Sequence, residues 1–221
     1  MVDRVRILLA LLVGLAFPAA ATQPADVRGI NPSLACGSQG PDTLYFPAGT
    51  FRPVVEDDLD LDRWDRFQRE WYSQQLAAMR EPSLTCGDVG SIEAVRFLWL
   101  RAFNEPIAIR ITKSGTDYAL TTTTLAYAPG MEIGAVQDQY QKPISEDEWT
   151  TLVSSLAPIR FWEMPADVAN AGGDGSYWVI EVRLNGRYHV ATRWAGGHGL
   201  RQIGIAMLIL SGLQIDPDDV Y

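Results

Sequence analysis

Five residues able to carry acid–base or ion-pair chemistry, Asp174, Glu181, His189, Arg193 and His198, fall within 25 positions of one another, interleaved with Trp178, Tyr188 and Trp194. A carboxylate beside an imidazole orients the ring and raises its basicity, as a general base requires. Whether Glu181 meets His189 depends on the turn at Asn185-Gly186, a strong hairpin signal between two alternating segments. A two-residue loop sets Val182 opposite His189 and Glu181 opposite Val190. A three-residue loop with a glycine bulge shifts the register and sets Glu181 across from His189. The second register makes Glu181 and His189 a candidate catalytic pair, with Asp174 the third candidate, and implies a small hydrolase-like enzyme. The same residues also read as cross-strand structural pairs under aromatic cover, which is their commoner use.

A different chemistry uses the arginines. Arg96, Arg101, Arg110, Arg183, Arg187 and Arg193 all come from strand-like segments, and several converging on one sheet face beside tryptophans would hold a carboxylate or phosphate ligand. General burial habits favour the plainer reading, in which alternate outward positions carry solvated or stacking arginines. Trp, Tyr and Arg are the residues enriched in binding centres. Their concentration marks Arg96, Trp99, Arg101, Trp178, Tyr188, Arg193 and Trp194 as candidate binding residues.

Other signatures fail. Two histidines nine positions apart, with no His-Glu-x-x-His and no cysteines to spare, argue against zinc. Gly172-Gly173-Asp174-Gly175-Ser176 lacks the Lys of a phosphate loop and precedes a strand instead of a helix. No Gly-x-Ser-x-Gly elbow is present. The acidic run Glu56, Asp57, Asp58, Asp60, Asp62 and Asp65 offers calcium-type ligands, as does Asp216, Asp218 and Asp219. The first run also complements a helix N-terminus and the second lies at the chain end, so both read as solvated. No metal and no cofactor is expected.

The elements that must position these residues follow from periodicity. Leu61, Trp64, Phe67, Trp71, Leu76 and Met79 recur at helical spacing, with Asp60 or Asp62 as cap and Pro82 beyond the end. Segments 92–103, 106–112, 117–126 and 131–141 are rich in β-branched and aromatic residues and are separated by turn residues, which predicts an antiparallel meander. In the first of them Val95, Phe97, Trp99 and Phe103 share one face with Arg101, and Arg96, Leu98 and Leu100 take the other. Ser145-Glu146-Asp147-Glu148 is a capping box opening a helix that stops before Pro158. Segments 176–184 and 187–194 flank Asn185-Gly186 as a hairpin, and 200–210, apolar nearly all round, reads as a buried core helix too short to span a bilayer. The expected class is therefore α+β, with the meander and the C-terminal hairpin in one sheet packed by about three helices.

The 221 residues begin with Arg4 and Arg6, an apolar run from Ile7 to Phe17, and Ala19-Ala20-Ala21, the order of a secretory signal cleaved near Ala21. Residues 22–58 carry five prolines and read as an extended arm, and 59–221 as a single domain. The net charge of −9 argues against nucleic acid and anionic lipid as partners. The mature chain is expected to have no membrane span. Cys36 and Cys86, the only two cysteines, predict a disulfide in an oxidising compartment.

Four stretches together resemble an uncharacterised family of exported proteobacterial proteins. They are Glu81-Pro82-Ser83-Leu84; Arg96-Phe97-Leu98-Trp99-Leu100-Arg101 through Arg110; Asp174-Gly175 with Trp178 and Glu181; and Tyr188-His189 with Arg193-Trp194. The resemblance runs over most of residues 59–213 and implies export without assigning an activity. The functional expectation is a periplasmic or secreted envelope protein, non-catalytic, that binds a small molecule or an envelope protein through the face around the hairpin and first meander strand. A structural or assembly factor without a pocket is the third alternative.

Overall fold

The computed structural model describes residues 44–53, 60–85, 92–130, 132–168, 174–197 and 199–221. The expected signal segment, Cys36, Cys86 and His198 lie outside these residues, as does most of the expected arm. Among the described residues no helix is long and apolar enough to cross a membrane.

Six strands form one antiparallel sheet: β1 (Ile92–Arg101), β2 (Ile107–Ser114), β3 (Asp117–Leu125), β4 (Val136–Pro143), β5 (Ser176–Leu184) and β6 (Arg187–Trp194), in the order β4-β3-β2-β1-β5-β6. Short turns join β1 to β2 and β2 to β3, and a ten-residue connection joins β3 to β4, which makes the meander β1 to β4. The β5–β6 hairpin then docks on the other side of β1, so the expected α+β architecture is present with β1 near the middle, its last eight residues all buried. Several boundaries differ from expectation by one to five residues; β1 stops at Arg101, which leaves Phe103 beyond its end and 60% exposed, and two other differences have a visible cause. Proline has no N–H to give the ladder, so β2 begins after Pro106, whose carbonyl still accepts from the Leu125 amide at 3.0 Å. The fourth strand begins at Val136 instead of Met131. A register shift between Thr124 and Leu125 precedes it, and Gly134 lies so close to the Ala126 carbonyl that any Cβ there would collide with backbone.

Strand alternation sends the apolar residues to both faces. One face buries Val95, Phe97, Trp99, Ile109, Trp178, Ile180 and Val182 against α2 (Glu146–Ser154) and α3 (Leu200–Ser211). The expected capping box opens α2: the Ser145 hydroxyl accepts from the Glu148 amide at 3.2 Å, and the Ser145 amide donates to the Glu148 carboxylate at 2.7 Å. The Ser145 amide, together with the Ser145 hydroxyl donating to the same carboxylate at 2.8 Å, holds the Glu148 carboxyl below its ordinary pKa. α3 buries Leu200, Ile203, Gly204, Met207 and Leu208, and Gly204 lets its backbone ride directly on the Trp178 ring, where a Cβ would overlap the indole and touch Phe97.

The other face carries α1 (Leu61–Ala78), capped by the Asp60 side chain, which accepts from the Arg63 amide at 3.0 Å. The apolar periodicity holds for the end of this helix, where Leu76 and Met79 are fully buried, but not for its first turns. The residues it buries are Asp65, Gln68, Tyr72, Ser73, Gln75 and Leu76, while Phe67 is 43% exposed and Trp64 and Trp71 are half-buried. Residues 44–53, expected as part of an arm, explain the difference. Their Tyr45, Phe46 and Phe51 fill the second core beside Tyr72, Leu76, Met79, Leu98 and Val179. The same segment has no ladder of its own, so its amides need acceptors. Gly49 and Phe51 donate to Asp65 at 2.9 and 2.8 Å, and Tyr45 to the Ser73 hydroxyl at 2.9 Å. The polar side of α1 is therefore turned inward.

Candidate functional site

Asn185 and Gly186 have φ of 51° and 73°, the left-handed pair of a two-residue type I′ loop. That loop sets Val182 opposite His189 and Glu181 opposite Val190, so Glu181 and His189 project from opposite faces of the sheet. The expected catalytic pair is not formed. His189 Nε2 lies 3.0 Å from the Met164 carbonyl, and the ring packs edge-on against Phe161 at 5.1 Å. Asp174 is exposed ahead of β5 and, among the described residues, joins neither of them by a hydrogen bond or ion pair.

Burial lowers the His189 pKa from 6.5; the Met164 carbonyl opposes that shift, and Arg193 and Arg187 reinforce it. Below pH 6.5 the folded chain therefore binds fewer protons here than the unfolded one, so stability is full above that value and falls as pH drops, levelling off below the lowered native pKa. The melting temperature of the protein is expected to decline between about pH 7 and pH 5, and His189→Asn to flatten that part of the profile. An unchanged slope in the variant would show that His189 is not its source.

Glu181 belongs to a different constellation. It stands directly across from Arg96 on β1, and Arg96 Nε donates to Glu181 Oε2 at 2.7 Å, with Nη2 forming an ion pair to the same oxygen. Arg96 Nη1 donates to the Pro82 carbonyl at 2.6 Å and lies 3.4 Å from Glu81 Oε2. Arg110, opposite Arg96 on β2, donates through Nε to that same Glu81 oxygen at 2.8 Å. The Tyr188 hydroxyl donates to Glu181 Oε1 at 2.9 Å, and burial beside this carboxylate pushes its pKa well above the ordinary tyrosine value, so it remains a donor. The Tyr45 hydroxyl closes the assembly from above, donating to the Glu81 carbonyl at 2.7 Å. Arg96 is 0% exposed, and Glu81 and Glu181 2% each. Two arginines and two glutamates thus neutralise one another between the sheet and the turn after α1. Three of the four stretches quoted above, those around Glu81, Arg96 and Glu181, meet here, and Tyr188 brings in the fourth.

The remaining candidates do not converge. Arg96, Tyr188 and Trp194 point to the α1 face, whereas Trp99, Arg101, Trp178 and Arg193 alternate to the other. Trp99 and Trp178 are fully buried, 5.3 Å apart between ring centroids. Arg101 lies over the Trp99 ring at 4.4 Å and donates to the Glu105 carbonyl at 2.9 Å. Arg193 donates to the carbonyls of Pro165 and Ala166 at 2.8 and 3.3 Å, fastening that segment along β6. These are structural positions.

Of that set, Trp194 reaches a surface that sequence reasoning did not assemble. Its ring meets Tyr177 edge-to-face at 4.9 Å, Tyr177 meets Trp71 at 5.3 Å, and Trp71 stacks on Phe67 at 5.8 Å. All four rings retain solvent exposure. Gly175 lies under the Trp194 ring, where a Cβ would overlap the indole, which accounts for glycine just ahead of β5. The signal available in the sequence was the Trp64, Phe67, Trp71 spacing, but helical periodicity assigns such a stripe to a core.

Compared with protein-family models, with curated proteins and with solved structures, the chain matches none.

Proposed function

We propose that this is an exported envelope protein acting as a non-catalytic binding module, and that the row Phe67, Trp71, Tyr177 and Trp194 is where a protein partner docks. The observation that carries this reading is the seating of α1: Asp65, Gln68, Ser73 and Gln75 are buried beside Tyr72 and Leu76, while Phe67 is exposed and Trp71 half-buried, at a cost in hydration that a partner would relieve. Two of the three ring contacts in the row are edge to face, which makes a ridged surface that suits the side chains of a polypeptide better than the flat face of a sugar or nucleobase. Both the buried Arg96 cluster and the separation of Glu181 from His189 speak against the hydrolase-like alternative. A permanent structural or assembly role would use the same surface with a longer-lived partner.

The test is site-specific photo-crosslinking in living cells. A photoreactive residue at Phe67 is expected to give one discrete adduct, reduced severalfold by Trp71→Ala or Trp194→Ala in the same chain, while the same probe at Thr151, exposed on α2, does not give that adduct. If neither Phe67 nor Trp71 yields an adduct above the level at Thr151, the proposal fails.

A further inference from the structure

The two edges of the sheet are treated differently. Along β6 the Met164–Asp167 segment covers the edge: the Thr192 amide donates to the Ala166 carbonyl at 2.7 Å, and Arg193 and His189 bond neighbouring carbonyls. Along β4 nothing among the described residues does so. β4 is a terminal strand of eight residues, largely exposed, and its free groups can be identified. The Ile144 amide donates to the Tyr118 carbonyl opposite it, so residues of that parity, Lys142, Tyr140 and Asp138, aim their backbone groups at β3. Gln137, Gln139 and Gln141 aim theirs outward, together with the carbonyl of Pro143. An edge of this length with unspent donors and acceptors is a template for another strand.

We infer that the occupant is a second copy of this chain, joined β4 to β4 in antiparallel fashion about a two-fold axis at Tyr140. The strand is self-complementary in that register alone: Asp138 falls opposite Lys142 of the other copy, twice per interface. Neither residue has an ion-pair partner among the described residues of its own chain, although Lys142 lies close enough to Glu148 to lower the pKa of that carboxyl. The backbone parity agrees independently, because the same register sets Gln139 opposite Gln141 of the other copy, and these are residues whose amides and carbonyls face outward. Asp138, Tyr140 and Lys142 then form the pairs whose side chains approach most closely. Tyr140 is held ready at the axis, its hydroxyl donating to the Ser211 carbonyl at 3.1 Å. The product is a continuous twelve-stranded sheet with both copies' α2 and α3 on one side and both copies' aromatic rows on the other.

Sedimentation velocity on the full chain as isolated, between about 1 and 200 µM, decides the matter. Dimer is expected at the upper end. D138K and K142D each place like charges face to face at both pairs and are expected to raise the dissociation constant at least about tenfold. An equimolar mixture of the two is expected to associate again, because both pairs of the heterodimer become attractive. Q141P removes an outward N–H without touching the β3 ladder, and is expected to give monomer with an unchanged far-ultraviolet circular dichroism spectrum. A monomer throughout the range overturns the inference. So does a dimer that ignores the charge reversals or that fails to recover in the mixture.

Discussion

Arg96→Met is expected to lower the folding free energy by about 3–5 kcal/mol, the usual cost of removing one partner from a buried ion pair. The size follows from what remains. Glu181 keeps the Tyr188 hydroxyl and Glu81 keeps Arg110, but two buried carboxylates then face one full guanidinium, and the Pro82 carbonyl loses its donor. For a domain whose total stability is typically about 5–15 kcal/mol, that is a large fraction. Glu181→Gln added to Arg96→Met removes the unpaired charge and is expected to return about half of the loss. Urea denaturation of the wild type, both single variants and the double variant measures this as a coupling energy. Arg110→Met should cost less, because the Arg110 side chain is 16% exposed and water can enter. An Arg96→Met loss under about 1 kcal/mol would mean that the cluster is solvated in the folded protein.

Trp178→Ala is the second large effect, expected to cost about 3–5 kcal/mol. Its indole is fully buried, 5.0 Å from Phe97 and 5.3 Å from Trp99 between centroids. Its Nε1 donates to the Ser176 hydroxyl at 2.8 Å. Glycines flank the ring on both sides: a Cβ at Gly196 would come within 2.9 Å of Cδ2, and one at Gly204 would overlap the six-membered ring. Gly204→Ala therefore sets two effects against each other. Helix propensity favours alanine by about 1 kcal/mol, and overpacking against an immobile indole costs about 1–3 kcal/mol. The net is expected to be destabilising in the wild type and to turn neutral or stabilising in a Trp178→Leu background, where room exists. Thermal melts of the four proteins check both signs.

The contrast between these residues shows what was legible in the chain. The meander, the capping box at Ser145, the hairpin at Asn185-Gly186 and the facing of Arg96 against Trp99 were readable, because each depends on residues close together in sequence. The hairpin register was readable only as a choice between two, since Asn-Gly serves both loops. The true partner of Glu181 was not readable. Arg96 is its neighbour only because the hairpin docks on β1, a non-local event with no local signature. α1 misled in its first turns for a related reason: periodicity locates an apolar stripe but cannot say which side of the helix another segment will cover, and residues 44–53 covered Asp65, Tyr72 and Ser73 and left Phe67 outside. The aromatic row followed from that same choice.

The β1–β5 junction has one further consequence, for how the chain reaches this shape. Everything on either side of it is built from strands that are neighbours in sequence, joined by connections of at most ten residues, so the meander and the hairpin can each begin to form unaided. The junction cannot, because the whole stretch from Arg101 to Ser176 must first be gathered in, and loop closure of that kind slows folding. Until it happens, both long edges of the meander are bare, and Arg96 waits there without Glu181. The slow step in assembly and the interval of greatest exposure to aggregation therefore coincide at a single strand pair.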